Sequence, residues 1–379
     1  MPKKFFDDYT RDLKSEDLQR LFTRDAPEAY RYFTRGLDVE KISRMPWYKR
    51  WFIYSRELFV RFSMRLTPAR RFLYGASVVL TLVGLMELFR GVDTTRVLLF
   101  PFQIRIPLPH WEPGAVKLLL GFLGLQMLML MEIADRLSLK GELEVARDIQ
   151  LAMLPGGTTE CGPSRACGLT RPANTVGGDF YDILPLPDGR LIVTVGDVSG
   201  KGSPAALLMA LLLAMMRTLV DEGLESARLL SRLNKQIVRH APGSRFITLF
   251  YGLYDPRTGV LEYVNAGHLP PLIHRHDGRF DRLTSGNIAL GMFEGSTYES
   301  HQAQLNAGDA LILYSDGITE AENHRGQEFD ESHLSATITD AATHDPELLG
   351  RAILKAVDQH AGEVRLVDDL TVLVLSQNL

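Results

Sequence analysis

Four aspartates stand where an apolar strand ends or a turn opens. They lie in Gly177-Gly178-Asp179-Phe180-Tyr181-Asp182, Gly196-Asp197-Val198-Ser199-Gly200-Lys201-Gly202, Ser315-Asp316-Gly317 and Asp368-Asp369-Leu370-Thr371. Carboxylates held close together repel, and burying them without a partner costs several kcal/mol. A divalent cation resolves that conflict, and oxygen-only ligands favour magnesium, manganese or calcium over zinc. The pattern reads as a metal-dependent hydrolytic site.

The first pair can be tested by counting. The turn Pro187-Asp188-Gly189 centres near Asp188, nine residues after Asp179 and nine before Asp197. Residues equidistant from a hairpin turn face one another at about 4.5–5.5 Å. Asp179 and Asp197 are therefore expected to be opposite, within one residue of register, with a cation between them. Beyond Asp197, Val198 to Gly202 runs into Ser203-Pro204, read as N-cap and first helical residue. Free helix amides and Lys201 would then lie beside the aspartates, a natural place for a phosphate. The glycine spacing there is not that of a P-loop.

The elements that position these groups follow from the alternation of residues. Strand hairpins are predicted at Ile183–Leu186 with Arg190–Gly196, at Phe246–Tyr254 with Val260–Asn265, and at Pro271–His276 with Arg279–Leu283. Ala310–Ser315 and Thr371–Leu375 read as buried strands. Ala205–Met216 reads as a buried helix too short to cross a membrane, and Leu224–His240 and Pro346–His360 as amphipathic helices. Hairpins with helices inserted point to an α+β sandwich of two sheets covered by helices. Residues 156–168 look like a flexible lead into this region.

The preceding part differs in character. Two apolar stretches, about 72–89 and 115–131, are each long enough or nearly so to cross a bilayer. Between them Pro101, Pro107, Pro109 and Pro113 suggest an extracytoplasmic loop. Arg65, Arg70 and Arg71 precede the first stretch, and Arg136 and Lys140 follow the second, which places both termini in the cytoplasm. A soluble helical hairpin is the other reading. Trp47–Leu66 mixes aromatic and basic residues as an interfacial helix does, and an ordinary core helix has the same pattern. Short helices are expected around Asp25-Ala26-Pro27, and Met1–Lys4 opens no signal-peptide core. The organisation is thus a helical region at 1–70, a membrane hairpin at 71–135, a linker helix at 136–160 and a catalytic domain at 165–378. The linker stripe of Ile133, Leu137, Val145, Ile149 and Ala152 could pack on its own domain or pair with a second copy, with Gly141 interrupting it.

Composition sets bounds. The 379 residues carry 46 acidic and 42 basic side chains, a net charge of −4, which provides no basic footprint for nucleic acid. The apolar share of 45% is that of a folded protein. Cys161 and Cys167 lack zinc-site spacing and read as reduced thiols.

Taken together, Pro172–Asp182, Gly196–Gly202, Asn265-Ala266-Gly267-His268-Leu269-Pro270-Pro271, Ser315-Asp316-Gly317 and Asp368–Thr371 resemble, in order, the motifs of bacterial PPM-type (PP2C-like) serine/threonine phosphatases of the SpoIIE/RsbU group. Ala146-Arg147-Asp148-Ile149-Gln150 and Leu154-Pro155 resemble the linker that precedes this domain in the group. The resemblance implies two Mn2+ or Mg2+ ions held by Asp179, Asp197, the Val198 carbonyl, Asp316 and Asp368, with Asp369 outside the set. It also implies a metal-bridging water as nucleophile, with no protein nucleophile. The phosphate-holding arginine that eukaryotic relatives add has no evident counterpart here, leaving Lys201 as the candidate substrate contact. Asn265 and His268 are expected to be structural. A phosphorylated regulatory protein, of the STAS anti-anti-sigma type in the group, is the expected substrate, with a homodimer and a multi-pass cell-membrane location. The alternatives are a non-catalytic membrane signalling module that keeps the fold, and another two-metal hydrolase such as a nuclease.

Overall fold

The computed structural model describes residues 66–377 apart from 91, 100–101, 110–111, 242–244 and 285, together with residues 46, 53, 54, 56, 59, 60 and 62–64. The expected helices around Asp25–Pro27, and most of the expected interfacial helix at Trp47–Leu66, lie outside the described residues. The chain divides into two units, Met1–Leu137 and Ser138–Leu379.

In the first unit, helix α1 (Pro68–Arg90) is followed by strands β1 (Val92–Leu99) and β2 (Phe102–Pro109) and by helix α2 (Glu112–Met153). The segment expected as a proline-broken loop is instead an antiparallel hairpin, with Thr94 opposite Pro107 and Val92 opposite Pro109. A two-stranded ladder leaves an unpaired edge on each strand, where proline's missing N–H costs nothing. The helices of this unit approach closely through small residues. A Cβ on Gly84 would lie 2.7 Å from the Leu118 amide nitrogen, and one on Gly121 would collide with Thr81. Phe72, Leu82, Leu119, Phe122 and Leu130 face outward. Small residues between helices and large apolar ones outside is the packing expected in lipid, where apolar surface gains nothing by facing another helix. Arg70 bonds Asp135 at 2.5 Å, and Lys117 pairs with Glu87.

Helix α2 is continuous through Gly141, so the second apolar stretch and the linker are one helix rather than two. One glycine costs only about 1 kcal/mol in a helix, and the long flanking turns absorb it.

The second unit is a sandwich. One sheet contains β3 (Thr158–Cys161), β4 (Ser164–Arg171), β9 (Leu272–His274), β10 (Phe280–Arg282), β12 (Ala310–Tyr314) and β13 (Leu370–Gln377), in the order β10-β9-β12-β13-β4-β3. The other orders β11 (His301–Gln304), β8 (Val260–Ala266), β7 (Ile247–Asp255), β6 (Leu191–Val198) and β5 (Phe180–Pro185) as β11-β8-β7-β6-β5. Residues 156–168, expected as a flexible lead, supply β3 and half of β4. Ala166 and Cys167 are buried there, and β4 pairs with β13 along its whole length. Both cysteines are free and buried.

Strands β12 and β13 are apolar on both faces because both faces are covered. Leu311, Leu313, Leu373 and Leu375 point into the core between the sheets, shared with α3 (Ser203–Asp221) and α4 (Ser226–His240). Ile312, Tyr314, Val372 and Val374 point the other way, onto α6 (Asp330–Ala341) and α7 (Pro346–Ala361). Helix α6 has no counterpart in the expected elements; its apolar anchors are few, mainly Leu334 and Ile338. Helix α3 is longer than expected. With α1 and α2 it is one of three described helices long and apolar enough to cross a membrane. Its Leu208, Met209, Leu212, Leu213 and Met216 are nonetheless buried in the sandwich core.

Candidate metal centre

The ladder of β5 with β6 begins at Phe180 opposite Gly196. One step further out, Asp179 and Asp197 occupy the hairpin mouth, and the Val198 N–H donates to the Gly178 carbonyl at 3.4 Å. The opposition expected from counting holds in the structure. Gly178 is required there, because a Cβ would stand 2.8 Å from the Val198 carbonyl oxygen and 3.1 Å from Asp197 Oδ1.

The other two aspartates come from the facing sheet. Asp316 opens the short helix α5 (Asp316–Thr319) directly after β12, and Asp368 lies just ahead of β13. Ser315 stitches them together. Its amide donates to the Thr371 carbonyl at 3.0 Å, its hydroxyl donates to the Asp369 carbonyl at 3.2 Å, and it accepts the Thr371 amide at 3.0 Å. Adjacent residues at a strand end point to opposite sides, and the Asp369 carboxylate turns away from Asp368 to accept the amides of Ala173 at 2.8 Å and Gly178 at 2.7 Å. Asp369 thereby ties the last motif to the first across the two sheets.

The electrostatics show the cost of this gathering. Burial, then the Asp197 charge, pushes the Asp179 carboxyl well above its ordinary value, opposed by the nearby hydroxyls of Ser315 and Thr371. Burial and then Asp316 raise Asp197 to about 6, and burial and then Asp368 raise Asp316. Asp179 is 4% exposed, and its Oδ2 is buried without a hydrogen-bond partner. Among the described residues no group of three or more Asp, Glu, His or Cys side chains is gathered tightly enough to hold a metal by itself. The available donors are carboxylates plus one backbone carbonyl, a set suited to a hard cation that keeps part of its water. The orphaned Asp179 oxygen fits such an ion.

Lys201 donates to Asp368 Oδ2 at 2.8 Å and to the Val367 carbonyl at 2.7 Å. It therefore stands paired with one of the site's carboxylates. The N-cap of α3 is Gly202, not Ser203, whose side chain makes no capping bond. Gly202 has φ 77°, a left-handed value that suits glycine. His268 is buried, with Nδ1 2.9 Å from the Thr248 hydroxyl and Nε2 3.2 Å from the Tyr314 carbonyl. Asn265 exchanges two hydrogen bonds with the His268 backbone. Both side chains are engaged within the fold, His268 on Thr248 and Tyr314 and Asn265 on the His268 backbone.

Sequence reasoning missed the residues that hold the site in place. Gln150, on α2, pairs with Gly177. Arg217, on α3, donates to the fully buried Asp182 carboxylate and to the Met153 carbonyl at the end of α2. Tyr181 donates to the Pro155 carbonyl at 2.7 Å. A cavity of about 200 Å³ beside Asp368 is lined by Glu320, Glu322 and Glu328 and also by Arg365.

Comparison with known proteins bears on this geometry. Residues 187–378 match the family described as Stage II sporulation protein E (SpoIIE), just over half of the chain. The chain belongs to the SpoIIE family. Among curated relatives of this SpoIIE-family protein, Protein IcfG of Synechocystis is 29% identical over 281 residues, covering 67% of this chain and 44% of the relative. Phosphoserine phosphatase RsbU of Bacillus subtilis is 27% identical over 249 residues, covering 64% of this chain and 71% of RsbU. The chain thus spans less than half of IcfG. The SiaA-PP2C domain of Pseudomonas aeruginosa superposes with a TM-score of 0.56 at 22% identity, covering 64% of this chain and 98% of that domain. The fold is PP2C-like.

Proposed function

We propose that this SpoIIE-family protein is a metal-dependent phosphatase acting on phosphoserine or phosphothreonine of a regulatory protein. The observation that carries the reading is the meeting of Asp179 and Asp197 from one sheet with Asp316 and Asp368 from the other, with an unpartnered buried oxygen on Asp179. Asp179, Asp197, the Val198 carbonyl, Asp316 and Asp368 would hold two Mn2+ or Mg2+ ions. Such cations, when bound, supply charge neutralisation for the phosphoryl group and an acidified water. The chain's own residues do the rest. Asp369 fixes the Gly178 amide and with it the Asp179 backbone, Ser315 and Thr371 hold the second strand pair, and Lys201 orients Asp368. The name of RsbU as a phosphoserine phosphatase supports the substrate class.

The same reading extends to location and assembly. Helices α1 and α2 cross the membrane with the catalytic domain cytoplasmic, and the exposed Leu137, Val145 and Ile149 of α2 pair with their copies in a dimer.

The test is hydrolysis of a phosphoserine peptide by the full chain, with and without a chelator. Activity should vanish on chelation and return with Mn2+. Asp197→Asn should abolish it while the protein stays folded, with an unchanged or higher melting temperature because a repulsion is removed. Full activity of Asp197→Asn would sink the assignment. No hydrolysis of phosphopeptide under any metal would favour the non-catalytic module, and hydrolysis of DNA in its place would favour a nuclease.

A further inference from the structure

A cleft of about 580 Å³ opens beside the segment that leads into Asp179, lined among others by Leu143, Arg147, Asn174, Thr175, Ser203 and Arg365. Its charge is distinctive. Arg147 is exposed and makes no hydrogen bond or ion pair with any described residue. Among the described residues Arg365 bonds only the neutral Asn174 side chain, at 3.2 Å. Other basic groups of this region are neutralised, Lys201 by Asp368, Arg171 by Asp358 and Arg217 by Asp182. Two guanidiniums from separate elements, α2 and the segment before β13, thus line one cleft whose own lining holds no acidic side chain. Guanidinium geometry matches carboxylate and phosphate oxygens, and such charge-assisted bonds are about twice as strong as neutral ones.

The cleft is continuous in sequence with the metal centre on two sides. Thr175 lies four residues before Asp179, and Arg365 three before Asp368. Arg365 also borders the neighbouring cavity lined by Glu320, Glu322, Glu328 and Asp368, so it stands between the two.

We propose that the Arg147–Arg365 cleft is a substrate subsite that receives an acidic group, a carboxylate or a second phosphate, carried on the phosphoprotein near its phosphoserine. This rests on the phosphatase reading and adds a specificity to it. Because Arg147 belongs to α2, the subsite is complete only when that helix is seated, so substrate selection and helix position are linked.

The experiment compares kcat/KM of the full chain for three phosphoserine peptides of equal length. One carries glutamates flanking the phosphoserine, one carries a second phosphoserine, and one carries alanines. p-Nitrophenyl phosphate with Mn2+ is run alongside. The glutamate or doubly phosphorylated peptide should exceed the alanine peptide by about tenfold, and which of the two leads identifies the source of the acidic group. That ratio should shrink between 50 and 500 mM NaCl and collapse toward one in Arg147→Gln/Arg365→Gln. Equal kcat/KM for all three peptides in the wild type would overturn the subsite, as would a preference that survives in the double variant. Absence of p-nitrophenyl phosphate and peptide turnover altogether would instead overturn the phosphatase reading.

Discussion

Gln150 and Gly177 exchange two hydrogen bonds, the Gln150 amide donating to the Gly177 carbonyl at 2.8 Å and the Gly177 amide donating to Gln150 Oε1 at 3.2 Å. Gln150 is 6% exposed, so water cannot replace either bond. Gly177 stands two residues before Asp179, and the end of α2 is thereby fastened to the backbone that carries the buried Asp179 carboxylate. Gln150→Leu should leave both Gly177 groups buried and unpaired, at a cost of about 1–3 kcal/mol each. The expected result is a raised Mn2+ requirement and at least tenfold lower kcat/KM at subsaturating metal, partly recovered at high metal. A lower melting temperature with an unchanged Mn2+ titration would show that Gln150 serves stability alone.

His268 gives a pH dependence with a defined sign. Burial lowers its folded pKa from 6.5 to about 4, opposed by the hydrogen bond to the Tyr314 carbonyl. The folded protein keeps the ring neutral while the unfolded chain takes up a proton below 6.5. Stability from this group is full above that value and is lost as pH falls through the window from 6.5 to 4. Between pH 6.5 and 5 the loss is about 2 kcal/mol. Thermal unfolding of wild type and His268→Gln at pH 7 and pH 5 should show a steeper acid loss for the wild type. Parallel losses in the two proteins would refute a neutral buried imidazole.

The membrane assignment predicts the side on which each segment lies. A reporter that works only in the cytoplasm should be active when fused after Lys140 and inactive when fused near Pro107. Gly121→Leu should also separate α1 from α2, since even a Cβ there collides with Thr81, and should lower the yield of membrane-inserted protein. Recovery of the intact chain in the soluble fraction after simple cell breakage contradicts the hairpin.

Ile149 is 61% exposed on α2, one turn beyond Val145 and next to Gln150. Ile149→Glu should weaken self-association of the full chain and change its specific activity without touching a carboxylate of the site. Sedimentation and turnover measured on the same preparations decide the matter. If neither changes, α2 is a passive tether.

Much of this protein is written in local sequence. The count from Asp188 to Asp179 and Asp197 holds because hairpin register depends only on a short turn and two alternating strands. The buried strands β12 and β13 are legible as apolar runs, and the long apolar helices as uninterrupted stretches. What local sequence does not contain is pairing at a distance. Residues 156–168 read as a flexible lead because their ordering comes from β13, some two hundred residues later. The run at 92–109 reads as a loop because its prolines become tolerable only once two edges are left open.

The site divides in the same way. Sequence determined that carboxylates would have to be gathered, since four acids bounded by apolar strands have no other place to go. Only the tertiary structure decided which acid does which task. Asp368 and Asp369 are identical in type and adjacent, yet strand alternation sends one toward Lys201 and the other toward the amides of Ala173 and Gly178. Gln150, Arg217 and Arg365 are unremarkable letters in a sequence. Their tasks arise from the fold, because a hydrogen bond or an unneutralised charge depends on what the rest of the chain brings within about 3 Å.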